Sequence, residues 1–359
     1  MPCSSPARFS FADCGAAVWG LTLMNRPVLL ANSMRSDKIP GSMTASLFRR
    51  LLLPALMFLV QLPPVLRAAE STLVLDATSG HVLDAANSTR KVQVGSLTKI
   101  ATAMVVMDWM DVAKQDLNSL ATVPSSAAAL HGGNDAGLQP GDRVTLRDLL
   151  YAALLQSDNI AAQTLADYVG QRIDPSSSQA NGAADPVTTF VTQMNALARN
   201  LHMERTLFLN PHGLDSLERK LPYSTAADMG RLTRYAMSKA AFRFYVAQKE
   251  RRIVIAHDMG NPTDYLLKNT NELLGVNAID GVKTGQTRLA GGCVIISSAR
   301  QPEARKEGET FIVTPRRLIV VVLGSNDRFG EAGQLLSRGW ELYDEWAAAG
   351  RPLNKNESL

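Results

Sequence analysis

The stretch SLTKIATAMVVMDWM, from Ser96 to Met110, constrains this chain more than any other. It has the length of a helix, and apolar side chains fall on nearly every face of it up to Asp108. A helix without a polar stripe belongs in the centre of a domain rather than on its surface. Yet Lys99 sits in the first turn, three residues after Ser96, with hardly a polar face on which to rest.

The flanking segments predict what encloses this helix. Ser71–Ala77 (STLVLDA) and His81–Ala86 (HVLDAA) are short, alternating and β-branched, with Thr78-Ser79-Gly80 between them, and read as a hairpin. Pro140-Gly141-Asp142 marks a turn, and Thr145 with Asp148 opens a helix through LLYAALL in capping-box fashion. Residues 187–200 and 225–240 have helical spacing, the second opening with Thr225 and Asp228, while Pro175–Pro186 reads as a Ser/Ala/Gly-rich loop. Beyond residue 250 the pattern returns to strands (RIVIAH, GVKTGQT, GGCVIISSA, RRLIVVVLG), with 301–315 as a solvated hairpin extension. An amphipathic helix begins at Arg328. Strand–helix–strand order predicts an α+β domain over residues 70–347, with one antiparallel sheet covered by terminal helices. An all-helical lobe, about residues 112–245, is inserted mid-chain, and 348–359 forms a polar tail.

Charge is unevenly placed. The 359 residues hold 37 Lys+Arg against 33 Asp+Glu. Arg8, Arg26, Arg35, Lys38, Arg49, Arg50 and Arg67 nevertheless face only Asp13 and Asp37 within residues 1–69. The remainder is near neutral, so the basic balance is no argument for nucleic acid. From Met43 the chain carries Arg49-Arg50, an apolar run over Leu51–Leu66 and the small pair Ala68-Ala69, the layout of a secretory signal peptide. Pro54, Gln61, Pro63 and Pro64 interrupt the run, which argues against a transmembrane anchor. Residues 1–69 therefore read as a leader whose true start is Met43, removed on export, leaving no stable membrane tether. Cys3 and Cys14 would go with it, and Cys293 alone cannot form an internal disulfide. His81, His131, His202, His212 and His257 show no metal-ligand spacing, so neither metal nor cofactor is expected.

Three short motifs carry chemistry. Ser96 and Lys99 stand one helical turn apart on the same face. A serine hydroxyl needs a base to act as a nucleophile, and a lysine amine is that base only when neutral. Burial and a second cation both favour the neutral form. Alone, the pair also fits a helix N-cap beside a snorkelling lysine. Ser157-Asp158-Asn159 lies between two apolar helical runs and reads as a polar junction, with Ser157 a proton relay and the Asn159 amide a grip for a peptide carbonyl. Alone it is an ordinary turn. Lys283-Thr284-Gly285 follows the Asp280-Gly281 turn on a strand. Gly285 permits close approach of an extended ligand, while Lys283 and Thr284 offer charge and hydroxyl to a carboxylate. Alone, Lys283 is an edge-strand lysine.

S-x-x-K, S-D-N and K-T-G in this order form the signature of penicillin-binding proteins and class A β-lactamases. With VLDATSGHVLDAANSTR, GLQPGDRVTLRDLLYAALLQSDNIAA, TLFLNPHGLD and VVLGSNDRFGEAGQLLSRGW, the chain resembles the low-molecular-mass D-alanyl-D-alanine carboxypeptidases over roughly residues 71–345. The resemblance implies a β-lactamase-like fold with a five-stranded antiparallel sheet. It also implies a periplasmic or envelope enzyme acting on the D-Ala-D-Ala stem peptides of peptidoglycan, with β-lactam antibiotics as covalent inhibitors. Ser96 would be the acylated nucleophile and Lys99 its base, Ser157 and Asn159 would shuttle a proton and hold substrate, and Lys283, Thr284 and Gly285 would line the peptide. The backbone N–H groups of Ser96 and Gln286 would form the oxyanion hole, and Arg328 would face the terminal carboxylate. Three departures stand out: Asp158 where the family more often has glycine, Gln286 in place of a frequent histidine, and no sign of the family's C-terminal β-domain or anchor after Trp340.

Three alternatives differ in chemistry. An endopeptidase of the same family would cleave D-Ala cross-links. A class A β-lactamase would need a glutamate in an E-x-x-L-N context, whose nearest match here, Glu204-Arg205-Thr206-Leu207, is followed by Phe208. A non-catalytic envelope protein would have no use for three intact motifs.

Overall fold

The computed structural model describes residues 68–173, 185–215, 220–307, 309–353 and 358–359. The leader from Met43 to Arg67 and most of the Pro175–Pro186 loop lie outside the described residues. Strands β1 (Ser71–Asp76) and β2 (Val82–Ala86) form the first hairpin. A 3-10 turn at Gly95–Thr98 leads into α1 (Lys99–Ala113). There follow β3 (Leu120–Thr122), β4 (Arg143–Thr145), α2 (Leu146–Tyr151), a π-helical turn at Ala152–Gln156 and α3 (Asn159–Ile173). Next come α4 (Pro186–Asn200), α5 (Ala226–Ser238), α6 (Ala240–Val246), β5 (Glu250–Ile255) and β6 (Thr263–Lys268). The chain closes with β7 (Ile279–Thr287), β8 (Gly291–Glu307), β9 (Thr310–Ser325) and α7 (Arg328–Ala348).

Five strands pair antiparallel in the order β2-β1-β9-β8-β7. Both faces of this sheet are covered. Val74, Ile296 and Val320 pack against Leu336, Trp340 and Tyr343 of α7. Leu73, Ile295 and Val321 point the other way, into the cluster that holds Ile100 and Met104 of α1. Burial on both sides explains why LIVVVL in β9 is an unbroken apolar run rather than an alternating one. Helix α1 is buried as its composition requires, with Ile100, Ala101, Ala103, Met104 and Val106 essentially inaccessible. Thr145 and Thr225 cap α2 and α5, each accepting from the backbone N–H three residues on, at 3.0 Å.

The structure corrects the expected organisation in two places. RIVIAH does not join the central sheet: β5 pairs with β6, a strand the sequence did not betray, in a separate hairpin. Only Ile253 and Ile255 of β5 are buried, and Arg251, Arg252 and Val254 face solvent, so the strand has one apolar row and no second face to bury. The inserted lobe is not all-helical, because β3 and β4 pair within it. Three-residue strands are too short for alternation to register. No helix among the described residues is long and apolar enough to cross a membrane.

The docking of α7 offers a paired test. A Cβ on Gly339 would lie 2.6 Å from Val74 Cγ1, whereas one on Gly333 of the same helix would meet nothing within 4 Å. Gly339→Ala should therefore destabilise the protein by about 1–3 kcal/mol through overpacking. Gly333→Ala should be neutral or stabilise it by up to about 1 kcal/mol through helix propensity. Urea midpoints of the two variants check the difference.

Candidate active site

The 3-10 turn carrying Ser96, the start of α3 and strand β7 converge on one cluster. Ser96 sits in the tight turn, partly exposed, and α1 proper begins only at Lys99. Two glycines let β7 lie against this turn. A Cβ on Gly285 would stand 2.9 Å from the Val94 carbonyl oxygen and 3.2 Å from the Ser96 nitrogen. Gly95 has φ +54°, and a Cβ on it would be 3.4 Å from the Gln286 nitrogen. The amides of Ser96 and Gln286 thus border the same backbone contact, as a pair of oxyanion donors must.

Lys99 is fully buried. Its Nζ lies 3.0 Å from Ser96 Oγ, 2.7 Å from Asn159 Oδ1 and 2.8 Å from the His212 carbonyl oxygen. The last two can only accept, so they take two N–H bonds. A neutral amine then has its lone pair left for the Ser96 hydroxyl, whereas an ammonium would point its third proton there. Burial pulls Lys99 down to about 7, opposed by the negative charge of Asp158. The repulsion between Lys99 and Lys283 falls on Lys283, held well below the ordinary lysine range by burial, then Lys99, then Arg328. At Lys99 itself the leading cause is desolvation.

Lys283 is also buried, its Nζ donating to the Thr284 carbonyl at 3.0 Å. Thr284 Oγ1 lies 2.5 Å from Thr270 Oγ1, and Thr270 N–H donates to Leu155 at 3.0 Å, tying β7 to the π-helical turn before Ser157. Arg328 Nη1 donates to the Gly285 carbonyl at 3.0 Å and to Gln286 Oε1 at 3.2 Å, so its charge is fixed beside the same strand. Among the described residues no cluster of His, Cys, Asp or Glu could hold a metal.

Ser96, Lys99 and Asn159 are brought into direct contact, with Lys283, Thr284, Gly285, Gln286 and Arg328 along β7 and its flank. Ser157 is adjacent in sequence but not in hydrogen bonding. It takes a left-handed conformation (φ +68°) at the end of the π-helical turn, and its hydroxyl bonds no described residue. Asn159 faces Lys99 and gives its Nδ2 to the Gly132 carbonyl at 2.9 Å, so its amide is engaged inside the protein. Glu204 is exposed and touches none of these groups.

Two participants escaped the sequence reading. One is the His212 carbonyl, presented by the Asn-Pro-His-Gly loop, where Asn210 Oδ1 accepts from Gly213 N–H at 2.6 Å. Gly213 has φ +81°, and a Cβ there would fall 2.0 Å from the Gly95 carbonyl. The Asn-Pro and Gly turn residues were the available signal. The His212 ring is pushed down to about 3 by burial and by Lys99, so it stays neutral. The other is Asp158, which caps α3 by accepting from Ala161 N–H at 2.8 Å. Its second oxygen is buried without a hydrogen-bond partner, and burial raises its carboxyl to about 6.

The family model described as D-alanyl-D-alanine carboxypeptidase, of the S11 peptidases, matches residues 60–308. D-alanyl-D-alanine carboxypeptidase DacC of Escherichia coli is 32% identical over 284 residues, covering 77% of this chain and 62% of that protein. A D-alanyl-D-alanine endopeptidase of Pseudomonas aeruginosa is 30% identical over 279 residues, covering 76% of this chain and 77% of that one. The chain spans somewhat under two thirds of the E. coli carboxypeptidases DacC and DacD, 62% and 65% of their lengths. Among solved structures, the Streptomyces K15 DD-transpeptidase superposes with a TM-score of 0.63 at 27% identity, covering 79% of this chain and 100% of that one. Penicillin-binding protein D2 from Listeria monocytogenes, in its ampicillin-bound form, gives 0.59 at 26% identity over 77% of this chain and 100% of that one. The hydrogen-bonded Ser96–Lys99 pair, the sheet that carries Lys283 and the family match agree, and the chain belongs to the D-alanyl-D-alanine carboxypeptidase family.

Proposed function

We propose that this protein is a serine-type D-alanyl-D-alanine carboxypeptidase of the cell envelope, trimming peptidoglycan stem peptides through an acyl-enzyme on Ser96. The observation that carries this reading is the hydrogen bonding of Lys99, whose two acceptors leave the lone pair of a neutral amine to Ser96 Oγ. Ser96 Oγ attacks the carbonyl carbon of the penultimate D-alanine, and its proton passes to Lys99 Nζ. The oxyanion forms between the amides of Ser96 and Gln286. As the C–N bond breaks, the departing amine takes a proton back from Lys99, directly or through Ser157, and water then hydrolyses the ester. Strand β7 ends the sheet, so its outer edge is open to an extended peptide added as a further strand. Arg328 supplies positive charge for the terminal carboxylate and Lys283 a hydrogen-bond donor beside it, and β-lactams acylate the same serine.

A second reading, cleavage of D-Ala cross-links, has one observation in its favour. The Pseudomonas endopeptidase is matched over 77% of its length, against 62% of DacC. Mass spectrometry of muropeptides after incubation with the enzyme separates the two: released D-alanine marks the first, monomers arising from dimers the second. If neither appears, both readings fall.

Two expectations follow for the chemistry. Ser96→Ala should abolish turnover and penicillin acylation while leaving the far-UV circular dichroism unchanged. Activity within tenfold of wild type would remove Ser96 from the mechanism. The second-order rate of penicillin acylation should rise with pH through about 7, as Lys99 loses its proton. Lys283→Gln should leave the limb near 7 even where it slows acylation, since burial sets Lys99 and the repulsion between the lysines falls on Lys283. Asp158→Asn keeps the cap but removes a negative charge, and should move the limb to lower pH. A uniform rate loss in Asp158→Asn without a shift of the limb would show that this charge does not act through Lys99.

A further inference from the structure

Sharing no residue with the Ser96 cluster, a cavity of about 920 Å³ opens beside α5, β9 and the β1–β2 turn. Its walls hold Arg231, Arg234, Arg243 and Arg317 and, among the described residues, no Asp or Glu side chain. Arg317 is neutralised by Asp280 at 2.8 Å. Among the described residues the other three form no ion pair with an acidic side chain. Arg234 donates to the main-chain oxygens of Ala77 and Thr78, both at 3.1 Å, and to a carboxylate oxygen of the last residue, Leu359, which leaves Arg231 and Arg243 as the cations without a bonded anionic partner among the described residues. Arg243 Nη1 donates to the carbonyls of Met237 and Ser238 at the end of α5. Arg231, one turn before Arg234 on α5, bonds no described residue.

Asp76 acts electrostatically on Arg234 and Asp228 on Arg231, but each is also engaged by its own neighbours. Asp76 Oδ2 accepts from the N–H and hydroxyl of Ser79, and Asp228 Oδ2 from Arg205 N–H and the Thr206 hydroxyl. Burial lowers the proton affinity of Arg234, the charge of Asp76 raises it, and the charge of Arg231 lowers it in turn, so the two guanidiniums feel one another across the site. Like charges collected around a concavity, rather than spread over a surface, cost energy that an anion in the cavity relieves.

We propose that this arginine-lined cavity binds a phosphate-bearing ligand. Guanidinium forks match phosphate and carboxylate oxygens alike. A lone carboxylate would leave most of the cationic wall unmatched, whereas a phosphomonoester carries close to two charges. The volume falls within the range of small-molecule sites, and Leu201, Tyr235 and Met237 give it a partly apolar wall for an organic portion of the ligand. Such a group can come from a free phosphorylated molecule or from an anionic lipid headgroup.

The test uses pyrophosphate as probe, by isothermal titration calorimetry at low salt, with wild type, Arg231→Gln, Arg243→Gln and Arg338→Gln. Arg338 is an exposed arginine of α7, paired with Asp84, and serves as a charge control. Wild type should bind pyrophosphate saturably at one site. Arg231→Gln and Arg243→Gln should each weaken binding about tenfold, one charge-assisted contact. Arg338→Gln should not, and all should keep the wild-type rate of penicillin acylation. Should Arg243→Gln fail to fold, Arg231→Gln carries the test, since that guanidinium supports no described bond. Co-sedimentation with phosphatidylglycerol vesicles, lost in Arg231→Gln, assigns the source to lipid; pyrophosphate binding without it assigns a free ligand. No saturable binding by wild type, or equal binding by Arg231→Gln and Arg338→Gln, would overturn the proposal.

Discussion

Lys99 ends in an amine wholly inside the protein, among two carbonyl-type oxygens and the Ser96 hydroxyl, and much of the remaining structure serves that placement. A charged ammonium there would lose its hydration for three neutral partners, which favours the neutral form. Each partner comes from a different part of the chain: Ser96 from the turn before α1, Asn159 from the start of α3, His212 from the loop before α5. The apolar α1 holds the stem of Lys99 rigid, and Thr102 fastens the His212 loop by donating to the Pro211 carbonyl at 2.6 Å. Together these supports keep the amine out of water, which is the leading reason that its proton affinity is low.

A second lysine one strand away changes the electrostatics. Lys99 and Lys283 are both buried, and the buried carboxylate beside them, Asp158, keeps one oxygen unpaired. At Lys99 burial lowers the proton affinity and the negative charge of Asp158 raises it, so its value is a balance of those two, while the repulsion between the lysines falls on Lys283. Asp158 is also the residue at which the chain departs from the Ser-Gly-Asn pattern more common in the family. Its carboxylate caps α3 and faces the base in electrostatic terms, so one side chain serves both fold and chemistry.

What was legible in the sequence followed from periodicity and from motifs that depend on one another. The burial of α1, the hairpin of β1 and β2, the capped starts of α2 and α5 and the strands of the central sheet were all written in local patterns. The pairing of β5 was not, because a strand of alternating exposure carries no mark of which partner it takes. The β3–β4 pair was too short to register. Within the site, side chains were easier to find than main-chain groups. The His212 carbonyl has no residue-type signature, since any amino acid presents one, and only the surrounding turn residues hinted that this loop is fixed. Ser157 shows the converse: its motif is intact, yet its hydroxyl stands apart from the hydrogen bonds that join Ser96, Lys99 and Asn159.

The central claim is that Lys99 is neutral when the enzyme works, and its ionisation can be read directly. Protein labelled with 15N at the lysine side chains, with the Lys99 signal assigned by Lys99→Arg, can be titrated by heteronuclear NMR without substrate or inhibitor. Lys99 should lose its proton near pH 7, against about 10.4 for an unperturbed lysine. A Lys99 signal that stays protonated to pH 10 would contradict it, whatever the kinetics of acylation.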